Sequence, residues 1–142
     1  MQDHHEQSIE LLHQFRAMDE QAKHTFWGYL GCELVAISQQ EAVVHLDVQP
    51  HHLNMLGIVN GGVTSSLIDN TMGMLTLAAK PELSMVTTQL NIHYVAPLNR
   101  GLLIVRANIL HDGNRSMTCY AVVTNEQGEV GVIGTGTFRA KR

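Results

Sequence analysis

Between residues 4 and 27, Leu11, Phe15, Met18 and Ala22 recur three or four positions apart among Gln, Glu, Asp, Lys and His. That spacing predicts an amphipathic helix. After Gly28 and Gly31 the pattern shortens to two β-type runs, Cys32 to Ile37 and Glu41 to Val48, which the polar turn Ser38-Gln39-Gln40 joins into a hairpin. Helical character returns from Gly61 to Ala79, with Val63, Leu67, Met74 and Ala78 near one stripe and Lys80-Pro81 ending it. Few polar side chains interrupt this second helix, so most of its surface can be buried. Four further strand-like runs follow: Met85 to Val95, Leu102 to Leu110, Ser116 to Thr124 and Val130 to Ala140. The turns between them, Pro97 to Gly101, His111 to Asn114 and Asn125 to Gly128, predict consecutive hairpins in an antiparallel meander.

The order of elements implies an α+β domain, an antiparallel sheet of five to six strands wrapped around a central helix, with an N-terminal helix added. The expected division is a helix over 1–27 and a core over 28–142. A chain of 142 residues with 44% apolar and 15% charged residues suits one domain with a packed core. The net charge of -4 disfavours nucleic acid and anionic membrane surfaces as partners. Two distant cysteines, Cys32 and Cys119, form no disulfide framework, and the start Met1-Gln2-Asp3-His4 has neither the basic region nor the apolar run of a secretory signal. No apolar run is long enough to span a bilayer. A cytoplasmic location is therefore expected.

Between Asp47 and Lys80 the sole Asp, Glu, Lys or Arg is Asp69, set in an otherwise apolar helix. A carboxylate there requires a hydrogen-bonding partner, a shifted pKa or a water-filled cleft, which makes it either a structural residue or a catalytic base. Upstream, Asn60 is a good N-cap, and Gly61 and Gly62 begin the helix. The first amides of a helix lack internal acceptors, and without side chains these two leave room for a substrate oxygen. A glycine hinge beside packed backbone is the structural alternative. Gly62 and Asp69 lie seven residues apart, close to two turns, so they share a face but stand about 10 Å apart along the axis. If both act on one small carbonyl they must come from different subunits, with two helices side by side across a two-fold axis.

The run Asn54-Met55-Leu56-Gly57-Ile58-Val59-Asn60-Gly61-Gly62, followed by Leu67-Ile68-Asp69, resembles the signature of the PaaI-type hotdog thioesterases. Val86 to Tyr94, Pro97, Gly101 and Gly113-Asn114-Arg115 are similar to the same family, so the resemblance extends from about Gly31 to the C-terminus. It implies hydrolysis of an acyl-CoA thioester by a homodimer or a dimer of dimers, without metal or other cofactor. By position it implies that Asp69 is the general base or nucleophile and that the Gly61 amide polarises the thioester carbonyl. Asn54 then matches a polar residue of the active-site loop, Thr87 a hydroxyl that helps hold the attacking water, and Arg115 a contact to the CoA moiety. Gly62 is expected beside Gly61 in the substrate-binding turn.

One position departs from the signature: where the family has His, this chain has Asn60, which can cap and donate but cannot exchange a proton near neutral pH. A thiolate leaves readily without acid help, so hydrolysis survives this exchange in principle. A non-catalytic acyl-CoA-binding or regulatory protein is the alternative, and a hydratase would need a His that the site lacks. The nine histidines include no HExxH or similar ligand spacing. Cys119 alternates with Met117 and Ala121 along a strand, as a buried hydrophobe does. Met55, Met72, Met74 and Met85 are candidates for either an acyl tunnel or the core.

Overall fold

The computed structural model describes Gln2 to Arg142. The chain runs α1 (Gln2–Gln21), a 3-10 turn (Ala22–His24), α2 (Phe26–Leu30), β1 (Glu33–Ile37), β2 (Glu41–Asp47) and a second 3-10 turn (Pro50–His52). Then follow α3 (Gly61–Ala79), β3 (Met85–Tyr94), β4 (Leu102–Asp112), β5 (Ser116–Thr124) and β6 (Val130–Ala140). The six strands form one antiparallel sheet in the order β1-β2-β4-β5-β6-β3. This is the α+β layout expected, with α3 packed along the sheet.

Two expectations are corrected. The N-terminal helix does not run unbroken to residue 27: it stops at Gln21, and α2 starts separately at Phe26. The turn between them brings Gly28 so close to Lys23 that a Cβ would sit 2.1 Å from its carbonyl oxygen. The reversal buries Trp27, whose Nε1 donates to Asp19 Oδ1 at 2.5 Å. Met18, expected on the apolar stripe, is 40% exposed, while Phe15 is buried.

The last four strands are also not a continuous meander. Hairpins join β4, β5 and β6, but β3 pairs with β6 at the far edge and β4 crosses over to pair with β2. Burial explains the exchange. In β2 and β4 the pairs Ala42↔Ala107, Val44↔Val105 and Leu46↔Leu103 are all buried, whereas β3 is exposed along most of its length. A central place suits an apolar strand, and an edge suits the other. The Pro97–Gly101 segment is thus a crossing rather than a hairpin turn. It is anchored by buried Leu98, which packs on Gly131 where a Cβ would meet it at 2.3 Å, and whose carbonyl accepts from Val59 N–H.

On α3 the buried residues are Thr64, Leu67, Ile68, Thr71, Met72, Leu75, Thr76 and Ala78. Val63 and Met74, expected near the inner stripe, are half-buried. Each large side chain fully buried here contributes about 1.5–3 kcal/mol of hydrophobic stabilisation. The helix lies close to β6 because Gly134 and Gly136 carry no side chains: a Cβ at either would meet Ile68 or Met72 within 3 Å.

A bulge in β3 aims its residues at this helix. Thr87 pairs with Phe138 but Gln89 with Thr137, so Thr88 is an inserted residue. The insertion reverses the alternation of faces. Thr87 before it and Ile92 and Tyr94 after it therefore all face α3, where strict alternation would turn Thr87 away from the other two.

Candidate active site

Asn60 caps α3 with φ -61 and ψ 135, and its Oδ1 accepts from Gly62 N–H at 2.7 Å. Its carbonyl accepts from Val63 N–H at 2.9 Å and from Thr64 N–H at 3.4 Å. Among the described residues the Gly61 N–H has no acceptor. A single free donor therefore remains at the positive end of the helix. The pairing of Gly61 with Gly62 as twin donors is thereby corrected, since the cap takes up the Gly62 amide.

The loop before the cap is held by its own polar groups. Asn54 Oδ1 accepts from Leu56 N–H at 2.9 Å and Ile58 N–H at 3.4 Å, and Asn54 N–H donates to Ile58 O at 2.8 Å. The Asn54 oxygen thus shapes the loop, while the residue also borders the cavity described below. Upstream, His52 is buried; its Nε2–H donates to Leu30 O at 2.7 Å, and its Nδ1 accepts from Gln49 N–H at 2.9 Å. A carbonyl can only accept and an amide N–H only donate, so these partners fix the neutral tautomer. Burial, the largest cause, pushes the His52 pKa below its ordinary 6.5. Its carbonyl accepts from Asn60 N–H at 2.8 Å, which ties α2 to the helix cap through one residue.

Asp69 is half-buried two turns along α3 from the free amide, and Thr87 Oγ1 donates to its Oδ1 at 2.8 Å. The hydroxyl supplies the partner that a carboxylate on this helix requires. Thr87 is thus brought directly to Asp69. Gly61 is not: eight residues of helix separate them by about 12 Å.

Sequence reasoning missed Tyr94, whose approach to Gly61 depends on the β3 bulge. A Cβ on Gly61 would lie 3.0 Å from Tyr94 Cε1, and Tyr94 Oη sits 3.2 Å from Gly61 O. Beside this ring is a cavity of about 480 Å³, bordered by Gly61, Thr64, Tyr94 and the apolar Ile58, Val59, Pro97 and Leu98. None of the four candidate tunnel methionines borders it. Met72 is buried against β6, and Met55 is fully exposed.

Arg115 is exposed on the turn between β4 and β5, and its side chain makes no hydrogen bond or ion pair to Asp69 or Gly61 among the described residues. Its carbonyl accepts from Ala140 N–H at 2.8 Å, two residues along β6 from Phe138, the partner of Thr87. The turn lies against the C-terminal end of α3, where Lys80 Nζ pairs with Asp112 at 2.7 Å and donates to Gly113 O. Both cysteines are buried, which pushes the Cys32 thiol up to about 12 and the Cys119 thiol up to about 11. Among the described residues no three His, Cys, Asp or Glu side chains gather as a metal site, and no helix is long and apolar enough to cross a membrane.

An antiparallel sheet packed along a long helix whose first turn offers a bare glycine amide is the hotdog fold, the class of protein this chain represents. A model of the thioesterase superfamily matches residues 56–132, more than half of the chain, and the chain belongs to that family. Human acyl-coenzyme A thioesterase 13 is 27% identical over 94 residues, 66% of this chain and 67% of its own. Among solved structures, the conserved protein PA5202 from Pseudomonas aeruginosa aligns with a TM-score of 0.80 and 28% identity, over 86% of this chain and 98% of its own. The Escherichia coli PaaI protein from the phenylacetic acid degradation operon aligns with a TM-score of 0.84 and 21% identity, over 96% of both chains.

Proposed function

We propose that this member of the thioesterase superfamily hydrolyses acyl-CoA thioesters at sites shared between two copies of the chain. The observation that carries the reading is the division of labour along α3. One end holds an unsatisfied Gly61 amide beside an apolar cavity, and about 12 Å away Asp69 is held by Thr87. One thioester carbonyl cannot meet both within a protomer. Two α3 helices running antiparallel across a two-fold axis near Ser65, midway between positions 61 and 69, would bring each amide to the other chain's carboxylate.

The sheet supports such an assembly. At the other edge β1 is packed by α1, but β3 has no neighbour beyond it and exposes Val86, Leu90 and Tyr94, with exposed Val95 just after it. A ten-residue bare edge with exposed apolar side chains is a template for another strand, and pairing with its own copy would satisfy it. In this arrangement the thioester oxygen accepts from Gly61 N–H, and the partner's Asp69, oriented by Thr87, drives attack by water on the carbonyl carbon. The tetrahedral intermediate collapses by expelling the CoA thiolate, which takes a proton from solvent. Its low basicity makes an acid at position 60 dispensable. Arg115, exposed on the β4–β5 turn, would supply a cation for the CoA phosphates. The human relative's name, which includes acyl-coenzyme A, supports the choice of thioester.

The test is thiol release from a panel of short, medium and aromatic acyl-CoAs, with Asp69→Asn alongside. Turnover is expected from the native chain and a loss of about 10²- to 10⁴-fold in the variant. Saturable binding with no thiol released would instead make the protein an acyl-CoA binder, the role that Asn60 leaves open.

A further inference from the structure

We propose that Tyr94 is a positioning and specificity residue of this site: it clamps the first turn of α3 through Ser65 and walls the cavity that receives the acyl group. The inference rests on the thioesterase reading and extends it to a residue outside the reacting pair. Ser65 Oγ, Tyr94 Oη and Gly61 O form a closed triangle with edges of 2.5, 2.8 and 3.2 Å. Two hydroxyl protons can occupy only two of its edges. The two shorter edges make a relay, in which Tyr94 donates to Ser65 Oγ at 2.5 Å and Ser65 donates to Gly61 O at 2.8 Å. The Gly61 carbonyl is thereby fixed by a side chain from the sheet as well as by its own helix.

The ring acts on both sides. Toward the helix it fills the space a side chain at position 61 would need, with contacts of 3.0 and 3.2 Å to a Cβ built there. A side chain at position 61 would push this ring aside by a few tenths of an ångström, whereas glycine keeps the ring and the free amide together. Toward the cavity the ring borders the same space as Ile58, Val59 and Leu98. An acyl group whose carbonyl sits at Gly61 must run past this ring, so the tyrosine limits its bulk.

Two substitutions separate the roles. Tyr94→Phe removes the hydroxyl and keeps the wall, so kcat falls about two- to tenfold, the worth of one neutral hydrogen bond, with KM and acyl preference unchanged. Tyr94→Ala removes both, and the ratio of kcat/KM values shifts toward bulkier acyl groups. A double-mutant cycle on thermal stability reads the clamp without reference to activity. Ser65→Ala is expected to lower Tm in the native chain and to lower it much less in the Tyr94→Phe background, where the hydrogen bond it receives is already gone. Equal Tm losses in both backgrounds overturn the clamp, and an unchanged acyl preference in Tyr94→Ala overturns the specificity role. Failure of the native chain to release thiol from any acyl-CoA overturns the thioesterase reading and the specificity role with it, while the stability cycle still decides the clamp.

Discussion

The two working stretches of α3 are built on opposite plans. At Gly61 the chain has no side chain, and neighbouring groups surround the peptide until one N–H is left over: Asn60 caps Gly62, while Ser65, itself held by Tyr94, donates to the Gly61 carbonyl. At Asp69 a charged side chain has been added to an apolar helix, and a strand residue, Thr87, supplies its hydrogen bond. The first stretch offers a donor without an acceptor and the second an acceptor with oxygen to spare. On the proposed reading these are two halves of one reaction centre, and they stand out because, among the described residues, no buried side-chain nitrogen or oxygen lacks a partner.

Separating the halves is the most severe way to break this comparison. Leu90→Lys places a charge on the bare β3 edge, where strand pairing would set it near its own copy. We expect a folded monomer by sedimentation and a loss of thiol release as deep as that of Asp69→Asn, about 10²-fold or more. A fully active monomer would contradict the shared site.

A smaller effect follows from loosening one half. Thr87→Val keeps the shape but deletes the hydrogen bond to Asp69, and kcat is expected to fall about tenfold, the low end for a bond to a charged group. Steady-state kinetics would show it, and an unaltered kcat would mean that Thr87 does not orient the carboxylate.

The smallest effect sharpens the comparison by leaving both halves intact. Buried His52 stays neutral in the fold, and its pKa lies below the ordinary 6.5. Between those two values the unfolded chain binds more protons than the folded one, so stability is full above about pH 6.5 and falls as pH drops toward the lowered pKa. Denaturant midpoints measured from pH 8 to pH 5 should decline in that window. In His52→Gln, which retains a donor and an acceptor without titrating, the decline should be shallower. Parallel curves would assign the acid sensitivity to other groups.

Much of the fold was legible in local pattern. The β1–β2 hairpin, the β4–β5–β6 meander and the span of α3 follow from alternation, turn residues and the Asn60 cap, all of which act over a few residues. The position of β3 was not legible, because strand order depends on which buried faces match across the whole sheet, and the turn at Pro97–Gly101 resembles a hairpin from composition alone. The break before α2 was hidden for a related reason: the sequence is helical on both sides, and only the burial of Trp27 and the approach of Gly28 to Lys23 decide it. Of the candidate site residues, Asp69 stood out as a lone charge and Gly61 as a bare helix start. Tyr94 did not, because a single inserted residue, Thr88, determines which face of β3 it joins.

The central claim is that Gly61 and Asp69 serve one thioester from different chains, and mixed dimers test it most directly. Asp69→Ala removes the carboxylate. Gly61→Pro removes the free N–H; Asn60, with ψ 135, already has the extended backbone that a following proline requires, and carrying Tyr94→Ala in every chain, controls included, gives the proline ring room. Each variant alone should release almost no thiol. When the two are mixed and allowed to exchange subunits, each heterodimer should regain one intact site of two, or about half the rate of the Tyr94→Ala control. Restored thiol release on mixing is the result the account predicts. Heterodimers that form and remain inactive would contradict it.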